Sequence, residues 1–183
     1  MLENKLIKAS QAILKNTTLI VASGSGITAD CVLEGGPSPS WEGEKVPVFR
    51  GTYGLWKHYP ALRKKLLLFD ELVEESFFRD NPHMFWFVYG DLWNKLSRAV
   101  PHQGYAALKG IIETADKQEK HWVYHSGIDN LYERAEFDMQ KYTQAKGSLF
   151  DWQCKKCAHL QSNIKTDTHF VLDRIRGMAE KVP

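Results

Sequence analysis

The sequence is poor in the features that mark a disulfide framework, a membrane span or a nucleic-acid surface. It has three cysteines in 183 residues, an odd number that favours a reducing, intracellular compartment over a disulfide-stabilised secreted fold. Its formal net charge of +2 gives no electrostatic reason to expect nucleic acid as a partner. No run approaches the ~20 apolar residues that cross a bilayer, so we expect no transmembrane segment. A mitochondrial or a cytoplasmic protein fits these absences.

What is present is the composition of an ordinary globular domain, 43% hydrophobic and 25% charged. We therefore expect a single domain over residues 1–183. The first 16 residues place Leu2, Leu6 and Ile13 near helical spacing with lysines between them. Such a segment is either the first helix of the domain or an organelle presequence, and Glu3 counts against the presequence.

Strand-like and helix-like stretches alternate along the chain. Strands are predicted at 16–22, at 121–125 and within 141–153, because these stretches are rich in β-branched and aromatic residues. Pro60 and Pro82 each open a predicted helix, and shorter helices are predicted at 105–115 and 128–135. The Gly-, Pro- and Ser-rich segment 31–51 is predicted to be irregular. The alternation favours an α/β domain with a small parallel sheet flanked by helices.

A glycine-rich turn follows the first predicted strand. Gly24 and Gly26 flank Ser25 just before a predicted helix, in the sequence VASGSGIT. Glycines let a backbone approach a phosphate closely, and a helix N-terminus offers unpaired N–H groups to it. An ordinary tight turn has the same composition, so both interpretations stay open.

Five blocks in order, ASGSGIT, VPVFRGTYGLW, PHQGYAALKG, IDNLYERAEF and AKGSLFDWQCKKC, resemble the landmarks of the sirtuin family. Sirtuins are NAD-dependent protein deacylases with a Rossmann-like large domain and a small zinc-binding module. The resemblance runs from about Leu19 to Cys157. It implies a partial Rossmann-like parallel sheet that lacks most of its second half, because the family domain continues with further strand–helix units. A partner subunit or a second copy would then cover the open edge of the sheet.

The resemblance also implies a set of cofactor-binding positions, should NAD bind. Each position has a structural alternative: Asp129 could cap the helix at 130–134, Arg50 could tie down a loop, and Phe49 could belong to the core. The positions are Gly24, Ser25, Gly26 and Thr28 in the phosphate loop, Phe49 and Arg50 in the loop that covers the cofactor, and Asp129 in the nicotinamide pocket.

Two polar groups that the family uses are missing. Gly127 stands where the family has an asparagine that helps to hold a water and the ribose, and Ser126 stands where it has glutamine. Lys146 stands where the family has its general-base histidine. Histidine accepts a proton near neutral pH, with an ordinary pKa of ~6.5, whereas lysine at ~10.4 is normally protonated already. The resemblance therefore implies that no catalytic set is intact.

The cysteines give an incomplete metal site. Sirtuins hold structural zinc with two C-x-x-C pairs, and this sequence has only Cys154 and Cys157. One pair cannot close a four-coordinate cysteine site, although His159 or His169 are possible further ligands. We expect residues 154–183 to be a remnant of the zinc module with a tail, residues 168–183, that forms one strand or one helix, and to bind no zinc.

The sequence supports two hypotheses of function. The first is a degenerate sirtuin-like protein that binds no cofactor and serves as a non-catalytic structural or accessory subunit among other protein subunits. Trp41, in the Gly/Pro-rich segment, is then a candidate partner contact, unless it folds back on the domain. The alternative is an NAD-binding deacylase or ADP-ribosyltransferase whose site another chain completes. A third hypothesis, a partial product of a full-length enzyme, would not explain Lys146 or Gly127.

Overall fold

The computed structural model describes residues 2–34, 46–48, 54–63, 70–115, 117, 119–162, 164 and 169–183, with the backbone alone at 55 and 56. Trp41, Phe49 and Arg50 lie outside the described residues. In the parts of the chain so described, no helix is long and apolar enough to cross a membrane.

Most of the helices lie where capping residues and hydrophobic patterning in the sequence predict them. The long helix begins at Pro82, whose missing N–H costs nothing in the first helical turn. The helix after it begins behind His102, whose Nδ1 accepts a hydrogen bond from Gly104 N at 2.9 Å. The α-helices are α1 (Leu2–Lys15), α2 (Ser25–Thr28), α3 (Leu55–His58), α4 (Pro60–Arg63), α5 (Glu75–Asp80), α6 (Pro82–Leu96), α7 (Gln103–Thr114) and α8 (Leu131–Arg134), with 3₁₀ turns at Asp70–Val73 and Met139–Lys141.

Three parallel strands form the central sheet: β1 (Leu19–Ser23), β4 (His121–His125) and β5 (Tyr142–Gln144), in the order β1–β4–β5. Leu19 pairs with His121 and Val123 with Tyr142. The prediction of a partial Rossmann-like parallel sheet flanked by helices is confirmed. The other strands form two-stranded antiparallel pairs, namely β2 (Val32–Leu33) with β3 (Ala99–Val100), β6 (Trp152–Gln153) with β7 (Leu160–Gln161), and β8 (Leu172–Asp173) with β9 (Met178–Ala179).

The two faces of the central sheet differ sharply in burial. On one face Val123 is 1% exposed and belongs to a core cluster shared with α6, α7 and α8. On the other face Ile20, Trp122 and Tyr124 are 70%, 43% and 46% exposed. Parallel sheets are normally covered on both faces. We call the face formed by Ile20, Trp122 and Tyr124 the bare face.

A buried charged cluster ties α6 to its surroundings. The carboxylate of Asp91 is fully buried and accepts hydrogen bonds from Tyr59 Oη at 2.7 Å, Lys95 Nζ at 2.7 Å and Arg174 Nη2 at 3.1 Å. Such a buried carboxylate is tolerable only when its oxygens are satisfied in this way. The cluster holds α4 and the C-terminal β8–β9 hairpin against the same helix.

Three expectations from the sequence need correction. The helix predicted to run from Pro60 is interrupted, because Glu74 adopts an extended backbone (φ −81°, ψ 142°) between the 3₁₀ turn at Asp70–Val73 and α5. The segment 31–51, predicted to be irregular, contains β2. The tail, predicted as one strand or one helix, is a hairpin, because Gly177 turns the chain at φ 68° and the Asp173 carboxylate accepts the amides of Ile175 and Arg176.

Candidate functional site

A cavity of about 1050 Å³ opens at the carboxyl ends of the three parallel strands. Ligands of open α/β sheets bind at this end, because the loops that follow the strands converge there. The loops after β1, β4 and β5 contribute Ser25, Ser126, Ile128, Lys146 and Ser148 to its lining. The opposite wall is mainly aromatic, formed by Phe78, Phe85, Trp86, Tyr89 and Trp152.

The glycine-rich turn brings the first of these loops close to the second. A Cβ on Gly24 would lie 3.0 Å from Ser126 Oγ, so a larger residue there would push the two loops apart. Gly26 differs, because no atom lies within 4 Å of the place its Cβ would take. Gly24 therefore lies in close contact with the loop after β4, whereas a side chain at position 26 would meet no neighbouring atom.

Asp129 sits at the centre of a buried network behind the cavity. Its Oδ2 accepts hydrogen bonds from Thr28 Oγ1 at 2.7 Å and from His125 Nε2 at 3.1 Å, and its Oδ1 accepts Leu131 N at 3.1 Å. Burial opposes ionisation of this carboxyl, but these hydrogen bonds outweigh it and hold the pKa of Asp129 below its ordinary value. Asp129 thus binds Thr28 and accepts the first backbone N–H of α8 at once, although Asn130 occupies the N-cap position of that helix.

The network continues from His125 to two further hydroxyls. Since a carboxylate only accepts, His125 Nε2 donates to Asp129, and Nδ1 of the same ring is hydrogen bonded to Ser23 Oγ at 2.9 Å. Tyr132 Oη donates to the same Ser23 Oγ at 2.9 Å. His125 is 0% exposed. Ser23 Oγ is thus hydrogen bonded to both the imidazole of His125 and the phenol of Tyr132, and these groups form one network.

Gly127 is buried against this network. A Cβ at position 127 would collide with His125 Nε2 and would lie 2.8 Å from Asp129 Oδ2. The side chain of Gln144 holds the same loop from the other side, since its Nε2 donates to Gly127 O at 3.1 Å and to Asp129 O at 2.7 Å. The loop therefore accommodates only a residue without a side chain at position 127.

Lys146 follows β5 and faces the cavity. Its side chain is exposed, and the next residue, Gly147, has φ 74°, a left-handed conformation that glycine adopts without strain. The position is anchored one residue earlier, where Ala145 N donates to His125 O at 2.8 Å. Lys146 therefore places a flexible, solvated cation at the cavity wall.

Cys154 and Cys157 lie at the tip of the β6–β7 hairpin, and both are exposed. Hydrogen bonds from the backbone of Cys157 and of Lys156 lower the pKa of the Cys154 thiol. His159 O accepts Cys154 N at 2.8 Å, so His159 is adjacent through its backbone. Within the described ranges there is no group of three or more His, Cys, Asp or Glu side chains that could hold a metal ion.

The structure brings together part of the set that the sequence singled out. Thr28 and Asp129 are hydrogen bonded, Gly127 packs beside them, and Ser25, Lys146 and Cys154 line one cavity. The polar network around Ser23, His125 and Tyr132 was not predicted from the sequence. One signal was available, because His125 occupies an inward position in the alternation of β4.

The comparison with family models matches residues 42–176 to the Sir2 family. Among curated relatives, an NAD-dependent protein deacylase of Daphnia pulex is 26% identical over 177 residues, which are 96% of this chain and 55% of that protein. An NAD-dependent protein deacylase of Thermococcus kodakarensis is 27% identical over 157 residues, which are 86% of this chain and 51% of that protein. The chain thus spans about half the length of the curated relatives it matches.

Solved structures show the same fold. A Sir2 homologue mutant in complex with ADP-ribose superposes with a TM-score of 0.62 at 22% identity, covering 85% of this chain and 52% of that one. A Sir2 homologue in complex with NAD gives a TM-score of 0.58 at 23% identity, covering 88% of this chain and 54% of that one. The fold of this chain matches about half of each.

Proposed function

The chain belongs to the Sir2 family, whose model matches residues 42–176, and we propose that it is a non-catalytic relative that serves as an accessory subunit of a larger protein assembly. One observation carries this proposal. The imidazole of His125 fills the space beside Gly127 where the resemblance implies an asparagine side chain, so the amide is absent and its place is occupied.

The chemistry of Lys146 supports the proposal. The resemblance implies a histidine here that takes a proton from the reacting sugar. The ordinary pKa of a lysine side chain, ~10.4, lies far above that of histidine, ~6.5. A protonated amine can donate a hydrogen bond or attract an anion, but it cannot act as a general base.

The hydrogen bonding of Thr28 and Asp129 bears on whether a dinucleotide fits. The Thr28 hydroxyl donates to Asp129, and both carboxylate oxygens of Asp129 already accept hydrogen bonds. These two side chains are therefore engaged with the protein itself. The side chains of Ser25 and Ser126 line the cavity, and the Ser126 hydroxyl donates a long hydrogen bond to Ser23 O at 3.3 Å. On this basis we propose that the protein binds no cofactor when it serves as an accessory subunit.

The bare face supports a partner. A parallel sheet with Ile20, Trp122 and Tyr124 in water is incompletely covered, and burying them releases about 25 cal/mol per Å² of apolar surface. Among the strands that the structure describes, β1 also lies at the edge of the sheet, so its outer hydrogen-bonding groups can pair with another strand. We propose that another subunit covers this face and edge.

An alternative function is favoured by the cavity itself. At about 1050 Å³ it is large enough for a nucleotide-sized ligand, and it stands at the end of the sheet where such ligands bind. In this alternative the chain binds NAD or ADP-ribose, and a second chain completes a deacylase or ADP-ribosyltransferase site.

The decisive experiment measures deacylation of an acyl-lysine peptide in the presence of NAD, together with calorimetric titration of NAD and ADP-ribose. The wild-type chain is compared with Lys146→Ala and Lys146→His. The accessory role predicts background turnover for all three and no saturable heat. Saturable binding without turnover supports the alternative, and wild-type turnover that Lys146→Ala abolishes overturns the non-catalytic proposal.

A further inference from the structure

Helix α1 has an apolar face that the rest of the described structure leaves exposed. None of the residues of α1 is buried, and Leu2, Leu6 and Leu14 are largely exposed to solvent. A helix of 14 residues is only marginally stable in water by itself, because most helical stability in proteins comes from the packing of an apolar face. A surface that covers this face would therefore stabilise α1.

The apolar residues of α1 form one wide arc around the helix. At about 100° per residue they span about 160° of its circumference, which is wider than the seam between two coiled-coil helices. Two polar residues lie within the arc: Ser10, whose hydroxyl donates to Ile7 O at 2.8 Å, and Glu3, which is in the first turn. The width favours a broad apolar surface as the partner over a single second helix. The residues of the arc are Leu2, Leu6, Ile7, Ala9, Ile13 and Leu14.

The opposite face of α1 is positively charged. It has no acidic residue, and it consists of Lys5, Lys8 and Lys15 together with Asn4 and Gln11. Helices that pair in coiled coils usually carry charges of both signs beside their seam. A polar face rich in lysine, with leucines on the other side, is typical of helices that lie in the interface of a membrane. The charge of α1 is complementary to that of anionic lipid headgroups.

The C-terminal end of α1 is fixed to the domain without using the apolar arc. Asn16 directly follows the helix, and its backbone oxygen accepts a hydrogen bond from Lys117 Nζ. β1 then begins at Leu19, whose N–H donates to Lys120 O at 2.9 Å. A surface that binds α1 would therefore hold the whole domain beside it.

We propose that α1 binds the surface of a bilayer that contains anionic lipids, with its leucine and isoleucine side chains in the interface and its lysines beside the headgroups. The helix lies in the plane of the membrane and does not cross it, so the binding is reversible. This inference goes beyond the proposed function and holds whichever subunit covers the bare face.

The test measures cosedimentation of the full chain with two kinds of vesicle, phosphatidylcholine alone and phosphatidylcholine mixed with phosphatidylserine. The protein should bind the anionic vesicles much more strongly, and added salt should release it, because salt screens the charges. The triple variant Lys5→Gln, Lys8→Gln and Lys15→Gln should partition about 100-fold less, since each lysine near an anionic surface raises partitioning about fivefold. Lys109→Gln, in α7, is the matched control and should bind as the wild type does.

A second variant tests the apolar arc. Leu6→Gln with Leu14→Gln should abolish binding to the anionic vesicles. Both side chains are exposed, so the midpoint of urea unfolding should stay that of the wild type, and lost binding then cannot be attributed to a lost fold. Ile175→Gln is the matched control, because Ile175 is also exposed but lies in the turn between β8 and β9, and it should bind normally.

Amide hydrogen exchange locates the contact. On anionic vesicles, exchange should slow in residues 2–15. Slowed exchange in β1 and β4 without α1, no difference between neutral and anionic vesicles, or self-association through Leu6 and Leu14 in place of vesicle binding would each overturn the proposal. None of these results bears on the accessory role, which turnover and calorimetry with NAD test separately.

Discussion

The Nε2 atom of His125 lies where the side chain of any larger residue at position 127 would begin, so His125 and Gly127 depend on each other. The imidazole cannot move aside easily, because Ser23 Oγ at 2.9 Å and Asp129 Oδ2 at 3.1 Å hold its two nitrogens. Restoring the side chain that the family resemblance implies at 127 would therefore disturb the buried network first.

Gly127→Asn should lower the stability of the protein by about 1–3 kcal/mol, the usual cost of overpacking a buried site. The measurement is the midpoint of urea unfolding followed by circular dichroism. Gly26→Asn is the control, because no atom lies near its added Cβ, and it should shift the midpoint little. Adding His125→Ala to Gly127→Asn should recover part of the loss. Equal stability of Gly127→Asn and wild type would show that the imidazole does not occupy this space.

Asp129→Asn should weaken the dependence of the unfolding free energy on pH at acidic pH. The folded protein holds the pKa of Asp129 below its ordinary value, so the unfolded chain binds the proton more readily. The carboxylate therefore contributes stability that is fully present above the unfolded pKa of about 4 and is lost as pH falls through the folded pKa. Unfolding free energies from pH 6 down to pH 3 should converge for the two proteins as pH falls. A constant difference across that range would contradict this linkage.

Asp91→Ala should destabilise the protein by about 3–5 kcal/mol, because it leaves the buried Lys95 ammonium without its carboxylate partner. The double variant Asp91→Leu with Lys95→Met should recover much of that loss, since it removes both charges together. Asp80→Ala is a suitable control, because Asp80 pairs with Arg79 at the surface, and it should leave the unfolding midpoint unchanged. Similar effects at 91 and 80 would contradict the burial argument.

Substitutions on the bare face of the sheet should change association, whereas substitutions on the opposite face should change the stability of the fold. Ile20→Thr with Tyr124→Thr removes apolar surface from the bare face and should reduce self-association and dye binding, while stability changes by about 0.5 kcal/mol or less. Val123→Thr, on the opposite face, should cost about 1–3 kcal/mol, because it buries a hydroxyl in the core. Light scattering and dye fluorescence measure the first effect, and urea unfolding measures the second. An unchanged association state in the first variant would argue against a docking role for the bare face.

The sequence was sufficient for the parallel sheet and the long helices. β4 alternates buried and exposed residues, and Pro82 marks the start of α6, so local signals and tertiary structure agree there. The break at Glu74 and the β8–β9 hairpin were not predictable in this way. The placement of the hairpin on α6 depends on contacts distant in sequence, namely the hydrogen bonds between Asn94 and Phe170.

The residues of the candidate site likewise include some that the sequence predicted and others that it did not. Gly24, Thr28 and Asp129 were identified through short motifs, and the structure places them at or behind the cavity. The role of Gly127 was not predictable, because a missing side chain does not show what fills the space it leaves. Only the three-dimensional structure shows that His125, two residues earlier, fills it. The cavity's aromatic wall was also hidden, since it combines α5, α6 and β6.

The exposed apolar residues of the bare face have a consequence for the abundance of this protein in a cell. Chaperones and proteases recognise exposed apolar surface. They should therefore recognise the folded protein as if it were partly unfolded, because Ile20 and Trp122 remain exposed to water. On the proposal that another subunit covers that face, the steady-state abundance of the protein should follow the supply of that subunit more closely than its own rate of synthesis, and orphan copies should be degraded first.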